Sequence, residues 1–369
     1  MKTAYIITMH CPLNYGAILQ TYALQTYIES IGINVKIVNY RPDYIVCDQS
    51  LMYVGAEQFK RNFLLRWIYR LIKAPSKLRR KKYFEDFADE QLHLTKIFRI
   101  YNDIYEANLK ADFFICGSDQ IWNVVSGAYK DPAYFLSFVS DKIKKISYAA
   151  SGNLPISDDV KRITFPMIEK IDCISMRENS TISSIQPYIK KPISHVCDPV
   201  FLLESKVWRA LYKKYSKFNP SVKYILVYPM GNGVEATMDK AIQIATYHKL
   251  PLYVISASQR RDKRVTKYFN VNPYDFLSLI DNAEYVITNS FHGVSFSIIF
   301  EKQFWACVAE GSNQRITTLL QKAGLTHRLI TQDVKKDFNE QIDHKIAQNK
   351  LFEFIQSSKH FLQSSLYAQ

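Results

Sequence analysis

The sequence predicts an α/β fold in which two domains each contain a parallel β-sheet. Three observations support this prediction. The chain has 369 residues, which is too many for one domain of ordinary size and about right for two. Apolar and aromatic residues make up 47% of it, enough to fill two cores. Short runs of β-branched and aromatic residues alternate with segments of helical periodicity, the pattern of β-α-β units in a parallel sheet.

The first 40 residues predict the opening β-α-β unit. Residues 3–9 indicate a strand, the polar turn HCPLNYG spans 10–16, and the following helix ends at Gly32 before a second strand at 33–40. Ligands bind parallel sheets where the carboxyl end of a strand meets the next helix, so the turn at 10–16 is a candidate site. It lacks the GxGxxG pattern, so a dinucleotide-binding role is weakly supported.

The next segment predicts a basic amphipathic helix that starts at Gln58 and ends where Pro75 interrupts it. Residues 60–82 contain ten basic and no acidic residues, and so carry most of the net charge of +14. Such a charge favours an anionic partner. No nucleic-acid-binding motif accompanies it, so nucleic acid is not expected. The basic segment therefore has two interpretations: a solvated basic face, or a peripheral contact with an anionic inner membrane. The membrane contact would use Arg66, Trp67, Arg70, Arg79 and Arg80.

The rest of the chain continues the alternation and predicts the domain boundaries. Further strands are expected at 111–117, 144–151, 172–177, 223–231, 251–258, 283–288 and 303–308, and helices at 159–170, 234–248, 273–282 and 293–301. We expect an N-terminal Rossmann-like domain at 1–205, which includes the basic helix 58–82, and a second Rossmann-like domain at 206–340. A C-terminal helical segment, 341–369, can pack back on the first domain.

Cysteine spacing and hydropathy predict the compartment. The six cysteines lie far apart without CxxC or zinc spacing, so we expect reduced thiols and no metal site. No segment approaches the roughly 20 apolar residues of a membrane span, and the start of the chain lacks a cleavage site for secretion. A cytoplasmic protein is expected, with at most peripheral contact with the membrane.

Polar residues at the end of three predicted strands are the candidates for chemistry. The segment Thr288–Gly293 delivers His292 to the first turn of a helix, and a helix N-terminus receives phosphate or carboxylate well. His292 would contact such an anion or transfer a proton. Alternatively, Ser290 caps the helix and His292 is a structural residue.

Arg177 ends the strand at 172–177, where its planar guanidinium could grip a carboxylate or phosphate with two hydrogen bonds. The alternative is an ion pair with Glu178 or another acid.

The third segment, GSDQIWN at 117–123, combines a carboxylate, amides and an indole, which suit the hydroxyls and the C–H face of a sugar. Asp119 could equally cap a helix. Asn14, Tyr15 and Gly16 lie at the first strand end, and Arg315 opens the run RITTLLQKAGL.

Six motifs in order resemble those of the polysaccharide pyruvyl transferase family. They are NYGAILQTYALQ (14–25), GSDQIWN (117–123), SYAAS (147–151), MRENS (176–180), DPVFLL (198–203) and TNSFHGVSFSIIF (288–300). The resemblance covers about residues 3–330. It implies two Rossmann-like domains with parallel sheets facing a central cleft, similar to the two-domain GT-B-like fold of many glycosyltransferases.

The resemblance also implies a reaction. The pyruvyl group of phosphoenolpyruvate would move onto a sugar diol of a capsular, exopolysaccharide or cell-wall glycan, with formation of a cyclic pyruvate ketal and release of phosphate. Phosphoenolpyruvate would be a co-substrate, and no cofactor is expected. The acceptor can be attached to a polyprenyl diphosphate in the inner membrane, which suits the basic helix.

The family's motifs imply roles for residues of this chain. His292 and Asp119 are the expected proton-transfer residues. Donor binding is expected from Arg177, Asn289, Ser290, Gly293 and Arg315. Acceptor binding is expected from Asn14, Tyr15, Gly16, Ser118, Gln120, Trp122 and Asn123. Many relatives carry arginine where this chain has Ser290, two residues before the histidine, so Arg315 is the candidate replacement cation.

Two other functions fit the same architecture. A GT-B-like nucleotide-sugar glycosyltransferase would place a diphosphate at the second domain. A non-catalytic glycan-binding member of the family is the other alternative, because the arginine expected at Ser290 is missing.

Overall fold

The computed structural model describes residues 1–50, 63–218, 220–255, 262–268, 270–307, 314–331 and 337–367. The side chains of residues 48, 63–66, 68–70 and 232 lie outside that description. The chain forms two compact units. Unit 1 contains Met1–Leu202 and Gln356–Gln369, and unit 2 contains Leu203–Ile355. The sequence placed this boundary between residues 205 and 206, and it grouped all of 341–369 as one segment.

Unit 1 is built around a parallel sheet. Its strands are β1 (Thr3–Ile7), β2 (Asn34–Tyr40), β3 (Leu94–Phe98), β4 (Phe113–Cys116), β5 (Lys144–Ser147), β6 (Ile174–Met176) and β7 (Ile193–His195). Its helices are α1 (Tyr15–Ser30), α2 (Asp43–Val46), α3 (Phe63–Gln91), α4 (Tyr101–Glu106), α5 (Phe165–Glu169), which follows a π-helical turn at Val160–Thr164, and α6 (Asn179–Ile185). The sheet order is β3-β2-β1-β4-β5, and the parallel pair β6-β7 extends it through bridges from Cys173 and Met176.

Unit 2 has a second parallel sheet. Its strands are β8 (Ile225–Tyr228), β9 (Leu252–Val254), β10 (Val265–Lys267), β11 (Tyr285–Thr288), β12 (Gln303–Cys307) and β13 (Leu329–Ile330), in the order β10-β9-β8-β11-β12-β13. Its helices are α7 (Ser205–Tyr215), α8 (Val234–His248), α9 (Pro273–Asp281), α10 (Phe291–Ile299) and α11 (Gln314–Ala323). Helix α12 (His344–Tyr367) begins in unit 2 and ends in unit 1.

The two sheets share one topological feature. In unit 1 the chain runs outward from β1 to β3 and then returns to place β4 on the other side of β1. In unit 2 it runs outward from β8 to β10 and then places β11 on the other side of β8. Such reversals open a crevice at the carboxyl ends of the two central strands, where parallel sheets bind ligands. The fold therefore marks the β1/β4 edge and the β8/β11 edge as candidate sites.

The expected end of the basic helix at Pro75 is wrong, because α3 continues through it to Gln91. Proline inside a helix costs about 3 kcal/mol, since it removes an N–H donor and crowds the preceding turn. The second half of α3 offsets that cost by burying Phe84, Phe87 and Ala88. The Phe84 ring packs 5.2 Å from that of Tyr15 at the start of α1. Among the described helices, none combines the length and the apolar character that crossing a membrane requires.

Candidate functional site

Four loops, those after β1, β4, β5 and β6, lie side by side at the carboxyl edge of the unit 1 sheet. The Thr8 hydroxyl, after β1, donates to the carbonyl of Ser118, after β4, at 3.0 Å. The Ser151 N–H donates to the Asp119 carbonyl at 3.0 Å, and the Arg177 N–H donates to the Ala150 carbonyl at 3.1 Å. These bonds extend the strand pairing beyond the sheet. The motifs GSDQIWN, SYAAS and MRENS therefore meet in one place.

Two glycines allow this close approach. Gly117 has a φ of +114°, and a Cβ atom there would lie 2.3 Å from the Tyr148 carbonyl oxygen. A Cβ at Gly152 would lie 2.3 Å from the Trp122 carbonyl oxygen. Both obstacles are backbone atoms, so neither can rotate away. No role was predicted for Gly117 or Gly152, although glycine beside a strand end is the usual sign of such contact.

Asp119 is the most accessible acid of this edge. Its backbone has a φ of +60°, its carbonyl accepts the N–H of Ser151, and its side chain is half-buried. No hydrogen bond from the described part of the chain reaches its carboxylate. No helix in that part begins at Asp119, so the capping alternative does not apply. The carboxylate is thus available to a ligand hydroxyl.

Arg177 is buried in a network of acids. Its Nη1 lies 2.5 Å from Oδ2 of Asp198, its Nε donates to Oε1 of Glu178 at 3.2 Å, and its Nη2 donates to the Ser151 hydroxyl at 2.7 Å. That hydroxyl in turn donates to Oε1 of Glu178 at 2.5 Å. Burial by itself lowers the pKa of Arg177, but the charges of Glu178, Asp198 and Asp119 outweigh it and raise the pKa above its ordinary value. The contacts match the ion-pair alternative.

This network has a net negative charge. One guanidinium is set against the carboxylates of Glu178 and Asp198, and the charge of Asp119 acts on it as well. Oε2 of Glu178 is buried and accepts no hydrogen bond from the described residues. A negative edge repels an anionic donor and accepts hydrogen bonds from hydroxyls. The arrangement suits a sugar.

Two aromatic residues assigned to acceptor binding are in the core. Trp122 is fully buried, its ring stacks on Phe135 with centroids 5.2 Å apart, and its Nε1 donates to the Tyr134 carbonyl at 3.2 Å. The predicted sugar platform at Trp122 is therefore wrong, because no ring face reaches solvent. Tyr15 is also fully buried.

The other acceptor residues have local roles. Asn14 caps α1, and its Oδ1 accepts the N–H of Gly16 at 2.8 Å. Ser118 is buried, and its carbonyl accepts the bond from Thr8. Gln120 and Asn123 are partly exposed and hydrogen-bond to each other.

In unit 2, the loops after β8 and β11 are joined through Asn289. Its Oδ1 accepts the N–H of Met230 at 2.6 Å, and its Nδ2 donates to the Met230 carbonyl at 2.8 Å. A Cβ at Gly233 would lie 2.4 Å from that amide nitrogen. Asn289, expected to bind the donor, thus also fixes the loop that starts α8. Two adjacent helix N-termini, those of α8 and α10, follow these loops.

His292 is the second residue of α10. Its side chain is 7% exposed and meets the Phe291 ring edge-on with centroids 5.2 Å apart. Ser290 caps the helix by accepting the Gly293 N–H at 3.4 Å. This cap agrees with the alternative interpretation of the segment, in which Ser290 is the N-cap of the helix. A Cβ at Gly293 would lie 2.5 Å from Oγ1 of Thr288, so glycine lets the strand end meet the helix. Arg315 is a half-buried residue in the first turn of α11, the helix after β12.

The residues predicted to contact a membrane separate into three groups. Trp67 is 43% exposed, and Arg79 is exposed. Arg80 is not available, because it donates to the Leu13 carbonyl at 2.7 Å and lies over the Tyr15 ring at 5.4 Å. The side chains of Arg66 and Arg70 lie outside the described residues. Among the described side chains, no three His, Cys, Asp or Glu residues are grouped to hold a metal ion.

A family model for polysaccharide pyruvyl transferases matches residues 14–311. The chain belongs to the polysaccharide pyruvyl transferase family. The match spans the edge loops of both sheets, which contain Asp119, Arg177 and His292. It confirms the family that the six motifs indicated. No curated protein matches the chain in sequence.

Solved structures show the fold of this pyruvyl transferase family member. A UDP-GlcNAc 2-epimerase from Neisseria meningitidis bound to UDP-GlcNAc has a TM-score of 0.50 at 9% identity, over 99% of this chain and 94% of that one. A protein described as a UDP-N-acetylglucosamine 2-epimerase from Listeria monocytogenes has a TM-score of 0.50 at 11% identity, over 98% and 90%. These are GT-B-type structures. The α/β fold with parallel sheets and a GT-B-like relationship is confirmed.

Proposed function

We propose that this family member transfers the pyruvyl group of phosphoenolpyruvate to a sugar diol of a surface glycan. One observation carries the proposal: the edge loops matched by the family model contain a histidine at a helix N-terminus in unit 2 and a half-buried carboxylate, that of Asp119, at the edge of unit 1. Phosphoenolpyruvate is a compact anion that suits helix N-termini. A diol suits the acidic edge around Asp119. We therefore assign the donor to unit 2 and the acceptor to unit 1.

The chemistry defines two proton transfers. Protonation of C3 of phosphoenolpyruvate makes C2 electrophilic, and a sugar hydroxyl then attacks C2 while losing its proton. As phosphate leaves C2, the second hydroxyl closes the ketal and passes its proton to the departing phosphate. Proton exchange with water then returns the protonated acid and the deprotonated base to their starting states. His292 is proposed to protonate C3, and Asp119 to accept the proton of the attacking hydroxyl.

Arg177 is better suited to positioning than to donor binding. Each of its three side-chain nitrogens donates to Glu178, Asp198 or Ser151. Those contacts fix the strand ends beside Asp119. We therefore propose that Arg177 holds the acceptor edge in shape, while Ser290, Asn289, Gly293 and Arg315 serve the donor in unit 2.

The test is phosphate release from phosphoenolpyruvate with and without a lipid-linked or soluble glycan fraction. Acceptor-dependent release is expected, and it should fall roughly 10²- to 10⁴-fold in Asp119→Asn and in His292→Gln. Asp158→Asn, at an exposed position, is the control. Full activity in both variants would refute the assigned roles. Absence of release from folded protein, together with binding of a nucleotide sugar, would instead support the glycosyltransferase alternative.

We further propose that α3 contacts an anionic bilayer from the cytoplasmic side. Four of its described apolar side chains are exposed: Trp67 by 43%, Leu71 by 69%, Ile72 by 70% and Leu78 by 52%. Basic residues surround them, and residues 60–82 contain no acid. Apolar residues that enter a lipid interface beside cations that meet lipid phosphates are typical of peripheral helices.

A further inference from the structure

The backbone of Asp119 is held by hydrogen bonds on both sides of its Cα atom. In the peptide group before it, the Ser118 carbonyl accepts the Thr8 hydroxyl at 3.0 Å. In the peptide group after it, the Asp119 carbonyl accepts the N–H groups of Ile121 at 2.8 Å and Ser151 at 3.0 Å. Because both peptide planes are fixed, the direction in which the Asp119 side chain leaves the backbone is fixed as well.

These bonds hold Asp119 in a strained conformation. Its φ is +60°, in the left-handed region. That conformation costs a residue with a Cβ atom roughly 1–2 kcal/mol, although aspartate tolerates it better than most residues do. Such strain persists only where surrounding contacts impose it, and it is concentrated at functional sites. The bonds from Thr8 and Ser151 are contacts of this kind.

Gln20, on α1, determines which way the Thr8 hydroxyl points. Its Nε2 lies 3.0 Å from the Thr8 hydroxyl oxygen and 2.9 Å from the Ala17 carbonyl oxygen. A third oxygen, that of the Thr21 hydroxyl, is 3.0 Å away, so two N–H bonds are shared among three acceptors. A carbonyl oxygen only accepts and an amide nitrogen only donates, which fixes the orientation of the amide. The Thr8 oxygen therefore accepts from Gln20, and its single proton is directed to the Ser118 carbonyl.

The side chains of this relay are fully buried at some cost in stability. Thr8, Gln20 and Ser118 have no exposed surface. Oε1 of Gln20 and Oγ of Ser118 are buried and have no hydrogen-bond partner among the described residues. A buried polar atom without a hydrogen bond costs roughly 1–3 kcal/mol. An apolar side chain at position 20 would avoid that cost, so stability alone does not account for glutamine there.

We propose that Thr8 and Gln20 are positioning residues that aim the carboxylate of Asp119 at the acceptor hydroxyl. The proposal rests on the proposed function, in which Asp119 accepts the proton of that hydroxyl. Neither buried side chain contacts the substrate, so both act on the reaction through the backbone of Asp119. Misplacement of a reacting group by about 1 Å can cost roughly 10²-fold in rate. The relay also connects the first sequence motif, NYGAILQTYALQ, to the acceptor edge.

Hydrogen exchange at the Ser151 amide tests this positioning without turnover. Thr8→Val keeps the shape of the side chain and removes the hydroxyl. The Asp119 carbonyl is then held less firmly, and the Ser151 N–H should exchange roughly three- to tenfold faster, as expected for loss of one hydrogen bond. Unchanged exchange in Thr8→Val would overturn the proposal.

Thr164→Val is the matched control for this measurement. Thr164 is also fully buried, and its hydroxyl also donates to a backbone carbonyl, that of Tyr129, at 3.0 Å. The control loses the same kind of bond away from Asp119, so its Ser151 amide should exchange at the wild-type rate. Equal acceleration in Thr8→Val and Thr164→Val would indicate general loosening of unit 1 and would overturn the proposal.

The kinetics of transfer test the consequence for the reaction. Thr8→Val should lower kcat roughly 10- to 100-fold and leave the KM of the acceptor nearly unchanged, because no contact with the substrate is lost. Thr8→Ser keeps the hydroxyl and should recover most of the activity, and Thr164→Val should keep all of it. The same kcat in Thr8→Val and Thr164→Val, or no recovery in Thr8→Ser, would contradict the positioning role.

Gln20→Met provides a second test if Thr8→Val folds poorly by circular dichroism. Methionine has a similar length and removes the unpartnered Oε1, so the melting temperature should be maintained or increased. The kcat should nevertheless fall, and the Ser151 amide should exchange faster. A stable Gln20→Met with wild-type kcat and exchange would overturn the proposal. If the wild type transfers nothing, the proposed function fails, while the exchange rates still decide whether Thr8 and Gln20 hold Asp119.

Discussion

The guanidinium of Arg177 and the carboxylate of Asp198 form a fully buried ion pair, with Nη1 and Oδ2 2.5 Å apart. Asp198 also accepts the Val200 N–H at 3.1 Å, so the pair ties the end of β6 to the loop after β7. Breaking a buried pair by removing one partner leaves an uncompensated charge. The pair is therefore a stability element beside the proposed acceptor edge.

Asp198→Asn should lower the free energy of unfolding by about 3–5 kcal/mol, because Arg177 then loses a buried counter-charge. Urea denaturation followed by circular dichroism measures the change. Arg162→Gln breaks an exposed pair with Asp159 and should cost at most about 1 kcal/mol. Equal losses in the two variants would contradict a special contribution from the buried pair.

Gly117→Ala should prevent the edge loops from packing, because the new Cβ would meet the Tyr148 carbonyl at 2.3 Å. Gly127→Ala is the matched control. Gly127 also has a positive φ, +80°, but nothing lies within 4 Å of its added Cβ. Gly127→Ala should lower the free energy of unfolding by only about 1–2 kcal/mol, which is the cost of a left-handed backbone at a residue with a Cβ atom. Thermal unfolding compares the two, and similar melting temperatures would show that the clash relaxes.

The free energy of unfolding should decrease as the pH is lowered from 6.5 to 4, because His10 is held neutral in the folded chain. Burial, with a smaller contribution from Arg41, lowers the pKa of His10 from 6.5 to about 4. Over this window the unfolded chain binds a proton that the folded chain does not, so stability is retained above pH 6.5 and lost as the pH falls. The loss amounts to about 3 kcal/mol at full extent. His10→Gln should flatten this part of the pH profile in urea titrations, and an unchanged slope would exclude His10 as its source.

Leu71→Glu with Ile72→Glu should weaken co-sedimentation with anionic vesicles by roughly tenfold or more. Burial of each apolar side chain in the lipid interface contributes part of about 1.5–3 kcal/mol to binding, and glutamate removes that contribution. Val125→Glu changes a side chain that is 96% exposed and lies outside α3, so it should leave binding intact. Raising the salt concentration should weaken wild-type binding, because it screens the basic residues. Binding that is indifferent to both the glutamates and the salt would exclude α3 as the contact.

The sequence predicted the central strands of both sheets, because parallel strands that are buried on both faces show as apolar runs, as in Tyr285–Thr288. It missed the edge strands β3, β7, β10 and β13, which are short or partly exposed and show no such run. It also placed the polar loops correctly after the strands. It failed where a side chain's surroundings come from distant segments. Trp122 is core because Phe135 and the Tyr134 carbonyl enclose it. Pro75 lies inside a helix because Phe84 and Phe87 are buried later in α3.

Ion pairs between residues far apart in the chain could not be predicted from local sequence patterns either. Glu178 is adjacent to Arg177 and was named as a partner, but Asp198 lies 21 residues away and was recognised only within the motif DPVFLL. A pocket in unit 1 lined by Arg41, Asp43, Lys81 and Arg99 combines residues that follow β2 and β3 with residues of α2 and α3. No single segment shows that combination.

The path of α12 affects how the chain matures during synthesis. Gln356–Gln369 belongs to unit 1, although unit 2 lies before it in the chain. The Cys197 N–H donates to the Ser358 hydroxyl oxygen at 2.9 Å, and the Tyr367 hydroxyl donates to the Ile31 carbonyl. When residues 1–202 leave the ribosome, these partners have not yet been translated. Unit 2 is contiguous and can complete its contacts first, whereas the unit that emerges first is the last to be finished.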